Sequence, residues 1–496
     1  MRGIHTQVTT IRRRIFEEVA RQAYEQSDLS LIDELPYKIL PYEVPTYRNN
    51  VFMERAVVAE RIRLAFGLPV RLATDYAPLS KSVENMPDIN KPFTQNLVNI
   101  ISVACNACPE NSYVVTDNCR GCIAHPCTEV CPVDAVKMVD GKSEIDNEKC
   151  IRCGKCRDIC PYSAIVHYNR PCAKACGVNA IGNDHLNRAK IDYDKCVACG
   201  MCIVNCPFGA IADKSEIYQI IRDMNKGTKM AAAIAPAIAG QLGEKVTFEK
   251  LAEAFKKLGF DDVVEVALGA DIGAVEEAHH FAHAVPNDQP FLATSCCPAW
   301  SIMAKKNFPE IADYISDSTT PMIETARIIK QRNEDVKVVF VGPCISKKME
   351  ATRLSVKTYV DYVITFEELM GMMEAKDIKI GELSTERELQ DASANGRGYA
   401  CAGGVASAIE ANVKALYPDK EILVDRAEGL ENCKKMLTLA KFGKRNGYLL
   451  EGMACPGGCV GGPGTLQTLP KAQKAVKEYQ KASIYALSND NPHIKE

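Results

Sequence analysis

The residues best suited to chemistry are cysteines, of which the 496-residue chain has 23. Sixteen lie between Cys105 and Cys206, and seven follow residue 290. Within the later group, Thr294-Ser295-Cys296-Cys297-Pro298-Ala299-Trp300 joins two adjacent thiols to a proline and the single tryptophan. Neighbouring side chains on an extended segment point to opposite sides, so Cys296 and Cys297 are poorly placed to bind one metal centre together. A vicinal disulfide is the bland alternative, but its geometry is strained. The expectation is two jobs, one sulfur ligating and one free. In a reducing compartment such cysteine density reads as metal ligation, not as a disulfide framework.

The earlier cysteines carry their reading in their spacing. Cys119-x2-Cys122-x4-Cys127-x3-Cys131-Pro132 is followed by Cys150-x2-Cys153-x2-Cys156-x3-Cys160-Pro161 and by Cys196-x2-Cys199-x2-Cys202-x3-Cys206-Pro207. These are the spacings of bacterial ferredoxins, where three thiolates wrap one 4Fe–4S cube and the fourth reaches its neighbour. Zinc ribbons pair Cys-x2-Cys without the trailing Cys-Pro. A half motif, Pro171-Cys172-Ala173-Lys174-Ala175-Cys176, lacks its leading pair, which Cys105-Asn106-Ala107-Cys108 can supply from upstream. Sixteen cysteines then make four 4Fe–4S clusters. Crossed pairing predicts Cys119, Cys122 and Cys127 with Cys160, and Cys150, Cys153 and Cys156 with Cys131. It also predicts Cys196, Cys199 and Cys202 with Cys176, and Cys105, Cys108 and Cys172 with Cys206. His167, five residues before Cys172, is a rival ligand for the last set.

The later cysteines follow no ferredoxin pattern. They sit in the stretch at Cys296-Cys297, in Val341-Gly342-Pro343-Cys344-Ile345-Ser346-Lys347-Lys348-Met349-Glu350, and in Glu451-Gly452-Met453-Ala454-Cys455-Pro456-Gly457-Gly458-Cys459-Val460-Gly461-Gly462. Three separate loops must therefore converge. Glycines around Cys455 and Cys459 let backbone approach a bulky inorganic group and adopt positive φ. Buried structural thiols is the reading that suits Cys401 and Cys433.

In order and content these loops resemble the three signature motifs of the iron-only (FeFe) hydrogenases, over roughly residues 229 to 465. The resemblance implies an H-cluster, a 4Fe–4S cube joined through a cysteine sulfur to a two-iron unit carrying carbonyl, cyanide and a dithiolate. Carried over by motif, Cys297, Cys344, Cys455 and Cys459 hold the cube, Cys459 bridges, and Cys296 is the free thiol that relays protons. Lys347 is implied as a hydrogen-bond donor to one cyanide, Met453 as an apolar wall, and the Ala235-Pro236-Ala237 turn as backbone facing the other cyanide. Glu277 and Ser316 align with the next stations of the proton route. The partners implied are H2 and protons, ferredoxin or a similar redox carrier, and hydrogenase maturation machinery.

Some positions depart from the best-known pattern. Gly342 stands where many members have methionine, which is expected to open the cavity beside the two-iron unit. Ala237 replaces a serine, His280 an outer glutamate, and Pro463-Gly464-Thr465 the usual glycine and glutamine. Together these resemble the divergent group B branch. A non-catalytic hydrogenase-like iron–sulfur protein and a hydrogen sensor are the rival readings. His279 and His283 share a helix face, as zinc ligands could, but no His-Glu-x2-His pattern accompanies them.

The elements that must position these residues point to a multidomain α+β and α/β chain. The expected divisions are a mainly helical region at 1–100, a ferredoxin-like domain at 101–215 and a catalytic domain at 228–496. Apolar residues at helical spacing over 11–20 follow Thr9-Thr10 as a hydroxyl cap, and a second helix is expected over 54–66, ended by Gly67 and Pro69. The run Arg12-Arg13-Arg14 is either a docking face or a solvated helix face. A buried strand ending in a turn is expected over 229–237 and further strands at 263–267, 337–340 and 362–365, with helices at 248–258 and 367–374, giving a largely parallel sheet with covering helices. A net charge of −3 favours neither nucleic acid nor an anionic membrane. The start opens no signal sequence or twin-arginine leader, so a cytoplasmic location is expected.

Overall fold

The computed structural model describes residues 4–72, 74, 77–82, 96–109, 111–243, 246–384 and 391–494. Residues 1–3, where the leader reading begins, lie outside these.

The part of the chain after residue 228 rests on two parallel sheets, where one was expected. The larger runs Asp262–Glu265, Met230–Ile234, Lys337–Val341 and Tyr362–Ile364, with every neighbouring pair parallel. The smaller runs Phe291–Ala293, Tyr448–Met453 and Leu423–Glu428, also parallel. Met230–Ile234 is buried throughout, as a central strand covered on both faces must be. The strand expected over 263–267 stops at Glu265, and Val266–Ala284 is helix. Its alanine-rich sequence favours that outcome over strand.

Helix ends follow local chemistry. Phe248–Leu258 is capped by Thr247 and closes on Gly259 at φ 108°, a left-handed position that suits glycine. Phe366–Ala375 opens with a capping box between Thr365 and Glu368. Gln7–Tyr24 begins earlier than expected, and Thr6 caps it by accepting from the Thr9 N–H at 3.3 Å. Thr9 and Thr10 therefore lie inside the first turn. Val51–Ala65 is capped by Asn50 and followed by Gly67 at φ 83°. Gln7–Tyr24 packs so closely on Phe366–Ala375 that a Cβ on Gly371 would lie 2.6 Å from the Phe16 Cβ. Arg12 pairs with Glu367 at 2.6 Å, and the apolar residues of the N-terminal helices share one core with the larger sheet.

The ferredoxin-like region closes on itself as nested halves. Val98–Ile100 pairs antiparallel with Ile211–Asp213, and Ser112–Val115 pairs with Ile165–Tyr168 inside it. Two hairpins, Val136–Val139 with Lys142–Ile145 and Ile181–Asn183 with Ala189–Ile191, complete the halves. Residues 112–168 are thus inserted between Cys108 and Cys172. Among the described residues no helix is long and apolar enough to cross a membrane.

Candidate metal centre

In a parallel α/β sheet, ligands gather outside the carboxyl ends of the strands. All the site loops leave such ends. Ala235 follows Met230–Ile234, Cys344 follows Lys337–Val341, Cys296 and Cys297 follow Phe291–Ala293, and Cys455 follows Tyr448–Met453. They meet around one cavity of about 80 Å³ lined by Cys296, Cys297, Cys344, Cys455, Cys459 and Lys347. Trp300 braces two of the loops. Its Nε1 donates to the Thr294 carbonyl at 2.9 Å, and its indole lies where a Cβ on Gly452 would be. Glycine is therefore required at 452.

The thiols differ in surroundings. Burial raises Cys297, while N–H groups of Ala454 and Trp300 and the Lys347 charge oppose it. Burial pushes Cys344 up to about 11. Cys459 follows Gly458 at φ 84°, where a Cβ would overlap the Ala402 backbone. Cys296 is raised well above the usual thiol range by burial, with Cys297 and Glu277 adding. It therefore stays protonated at neutral pH. Lys347 is held by Glu350 at 2.8 Å and by the Cys296 carbonyl at 3.5 Å. An ammonium has three donors, so one remains for the cavity that Lys347 lines.

Glu277 is 3% exposed. Burial pushes it up to about 7, while the Ser316 hydroxyl and the Ser295 N–H bond it and pull the other way. The structure thus brings Cys296, Glu277 and Ser316 together. His280 is exposed. His279 and His283 both bond the Tyr417 hydroxyl, at 2.6 and 3.0 Å. That contact accounts for their shared face.

The remaining wall is apolar, with Met453, Ala235, Pro236 and Phe340 facing the space. Here an expectation fails. Gly342 does not open the cavity, because the Phe340 ring fills the gap: a Cβ on residue 342 would lie 2.5 Å from its Cε1. Tyr399, also a lining residue, carried no sequence signal. Glu451, whose carboxylate accepts from the N–H groups of Gly403 at 2.7 Å and Ala406 at 2.8 Å, was equally silent. Cys433 donates to the carbonyls of Ala427 and Met453, as a structural thiol would.

The ferredoxin-like cysteines sit on a backbone repeated four times. In each Cys-x2-Cys the residue before the second cysteine is left-handed: Ala107 (φ 45°), Gly121 (56°), Arg152 (60°) and Ala198 (51°). Three residues after Cys131, Cys160, Cys176 and Cys206, the chain is again left-handed at Asp134, Ser163, Asn179 and Gly209. Non-glycine residues rarely adopt this conformation. Its recurrence at Ala107 and Asn179 gives the half motif and its distant pair the geometry of the complete ones. Sulfurs accept backbone N–H bonds, as in Ala189 to Cys105, Ala135 to Cys131 and Ala180 to Cys176, at 3.4, 3.3 and 3.2 Å. Ser143 bonds both Cys119 and Cys127.

Burial pushes Cys172 up to about 11, with Cys206 adding to it and Cys105 a weaker neighbour. Burial raises Cys108 too, with Cys206 and Cys105 next. Cys156 has Cys150 and Cys131 nearby, and Cys199 has Cys176 and Cys196. His167 instead bonds Asn111 and stacks on Tyr113 at 4.4 Å. Arg170, which sequence reading missed, donates twice to the Cys108 carbonyl, at 3.1 and 2.8 Å, and pins the distant pair in place. The Cys196 group abuts the catalytic part: the Ser346 hydroxyl donates to the Val197 carbonyl at 3.0 Å, and a Cβ on Gly200 would meet Ile345 and Pro463 at 2.7 Å.

Four thiols on three converging loops, with glycines beside Cys455 and Cys459 and a largely apolar wall, suit a polynuclear iron–sulfur group, whose ligands bind different irons.

Comparison with known proteins agrees. Residues 228–463 match the family described as iron only hydrogenase large subunit, C-terminal domain. Residues 143–166 and 189–212 match the 4Fe-4S binding domain. The chain is 28% identical over 416 residues to iron hydrogenase 1 of Clostridium pasteurianum, covering 73% of this chain and 72% of that one. It is 25% identical over 308 residues to the cytosolic Fe-S cluster assembly factor narfl of Danio rerio, covering 51% and 74%. A solved FeFe-hydrogenase HydA1 from Chlamydomonas reinhardtii superposes with a TM-score of 0.47 at 22% identity, over 57% of this chain and 93% of that one. Residues 228–463 thus match the C-terminal domain of the iron only hydrogenase large subunit, and two segments before them match the 4Fe-4S binding domain.

Proposed function

We propose that the protein interconverts H2 with protons and electrons at an H-cluster, and passes the electrons through four accessory 4Fe–4S clusters to ferredoxin or a similar carrier in the cytoplasm. The observation that carries this reading is one cavity shared by four thiols on converging loops, a fifth thiol at Cys296, and the Lys347 ammonium. When bound there, the H-cluster supplies an open iron site for heterolytic splitting of H2. Cys297, Cys344, Cys455 and Cys459 hold the group, and maturation machinery delivers its two-iron part. Lys347 places positive charge and a free donor at the cavity wall. Met453, Ala235, Pro236 and Phe340 exclude water.

Proton traffic falls to this chain's own residues. Cys296 holds a proton at Sγ and exchanges it with Glu277, whose value of about 7 balances gain and loss at neutral pH. Ser316 bonds Glu277 on the far side. The accessory thiols group as Cys119, Cys122, Cys127 and Cys160; Cys131, Cys150, Cys153 and Cys156; Cys105, Cys108, Cys172 and Cys206; and Cys176, Cys196, Cys199 and Cys202. The last set, against Ile345 and Pro463, is the entry to the catalytic cube. The departures at Ala237, His280 and Gly342 fit a group B member.

A non-catalytic iron–sulfur protein is the second reading, because one relative is a protein named as an assembly factor. Cys296, Glu277 and Lys347 favour the enzyme, since a bare cube needs neither a proton relay nor a charged donor. Infrared spectroscopy of matured protein decides: carbonyl and cyanide bands are expected, and their absence sinks the hydrogenase reading. A Cys296→Ala variant should keep those bands and lose turnover by roughly a hundredfold or more; full activity would refute the relay.

A further inference from the structure

Tyr399 lines the cavity, and its buried hydroxyl has no protein partner among the described residues. Its side chain lines the space and packs among Ala270, Ala274 and Met453. Its hydroxyl oxygen is buried, and among the described residues nothing bonds it. The backbone gives it no freedom to search. Tyr399 follows Arg397, which is anchored to Glu265 at 3.0 Å and to the Tyr479 carbonyl at 3.1 Å. The neighbouring Ala400 carbonyl accepts from the Val460 N–H at 3.0 Å, beside Cys459.

The nearest ionisable groups, beginning with Glu277 and Cys296 and followed by Asp271 and Glu451, do not resolve this. Asp271 is taken by Ser393 and Asn491, and Glu451 by two backbone N–H groups. Cys296 offers only a weak sulfur acceptor. The Glu277 carboxyl is engaged by Ser316 and Ser295, although one of its oxygens, Oε1, is unbonded. Folded proteins seldom leave a buried hydroxyl unsatisfied, and at the wall of a cavity a bound water or a bound group can supply the partner.

We infer that the Tyr399 hydroxyl donates a hydrogen bond to a ligand atom of the metal group that fills the cavity, making Tyr399 a cofactor-contacting residue beside Cys296 and Lys347. The inference rests on the function proposed above, and two measurements test it. In the full chain before maturation, Tyr399→Phe deletes a hydroxyl with nothing to bond, so Tm should stay level or rise. A fall would reveal a protein partner and overturn the inference. In matured protein, the same variant should displace at least one carbonyl or cyanide infrared band relative to the unaltered protein. Unshifted bands in a loaded Tyr399→Phe protein would assign the hydroxyl to a bound water and overturn the inference, while the proposed function stands. Bands missing from the unaltered protein would overturn both.

Discussion

The two iron–sulfur regions solve one problem in opposite ways. In the ferredoxin-like region most ligands come from neighbours in sequence, and a left-handed residue before each second cysteine turns the chain around its sulfurs. In the later part, the thiols from Cys297 to Cys459 come from loops far apart in the chain, which meet because the parallel strands of two sheets end around one cavity. The first arrangement is written in spacing and the second in topology. The Cys105–Cys108 pair stands between them. It keeps the local turn, at Ala107, but its partners lie across the inserted 112–168 segment, and Arg170 bridges the gap. Local turns therefore tolerate insertion as long as the flanking strands, here Val98–Ile100 with Ile211–Asp213, pair.

The contrast breaks most sharply under cysteine removal. Cys297→Ala should abolish turnover and the infrared bands while the electron paramagnetic resonance of the accessory clusters survives. Cys105→Ala should weaken one accessory cluster and leave the bands intact. Loss of the bands in Cys105→Ala would show that the regions are not separable.

Glu277 offers a test of smaller size. Its folded value of about 7 stands above the ordinary 4.5. Between these values the folded chain keeps a proton that the unfolded chain releases, so stability falls as pH rises through that window and is unaffected below it. The loss is on the order of 3 kcal/mol by pH 8. Glu277→Gln, neutral throughout, should flatten that slope in denaturant titrations of the metal-free chain. An unchanged slope would mean that the carboxylate is solvated.

The smallest effect concerns the cavity wall. Gly342→Met should destabilise the chain by about 1–3 kcal/mol through overpacking on Phe340. The pair Phe340→Ala with Gly342→Met should recover much of that, because the two positions share one space. A neutral single variant would show that the ring yields.

Much of the site was legible. Cys-x2-Cys spacing marks a 4Fe-4S binding region because a cube's geometry fits within a few residues of chain, and residues 143–166 and 189–212 match such a domain. The loops at 294–300, 341–350 and 451–462 were legible through their resemblance to a family. Adjacent thiols on an extended segment already implied separate roles for Cys296 and Cys297. Phe340, Tyr399, Arg170 and Glu451 were not legible. Each acts on residues distant in sequence, and as types they are ordinary core or ion-pairing residues. Gly342 misled because a missing side chain reads as space until the neighbouring ring is known.

By itself the sequence determined the local features: the repeated cysteine motifs that match a 4Fe-4S binding domain and the helix at 248–258. Tertiary structure alone decided that two parallel sheets, not one, deliver the loops, that Ser316 bonds Glu277, and that Phe340 fills the space beside Gly342. The reason is range. A turn or a cap is fixed by interactions within a few residues, whereas a cavity is defined by side chains whose only relation is where the strands beneath them end.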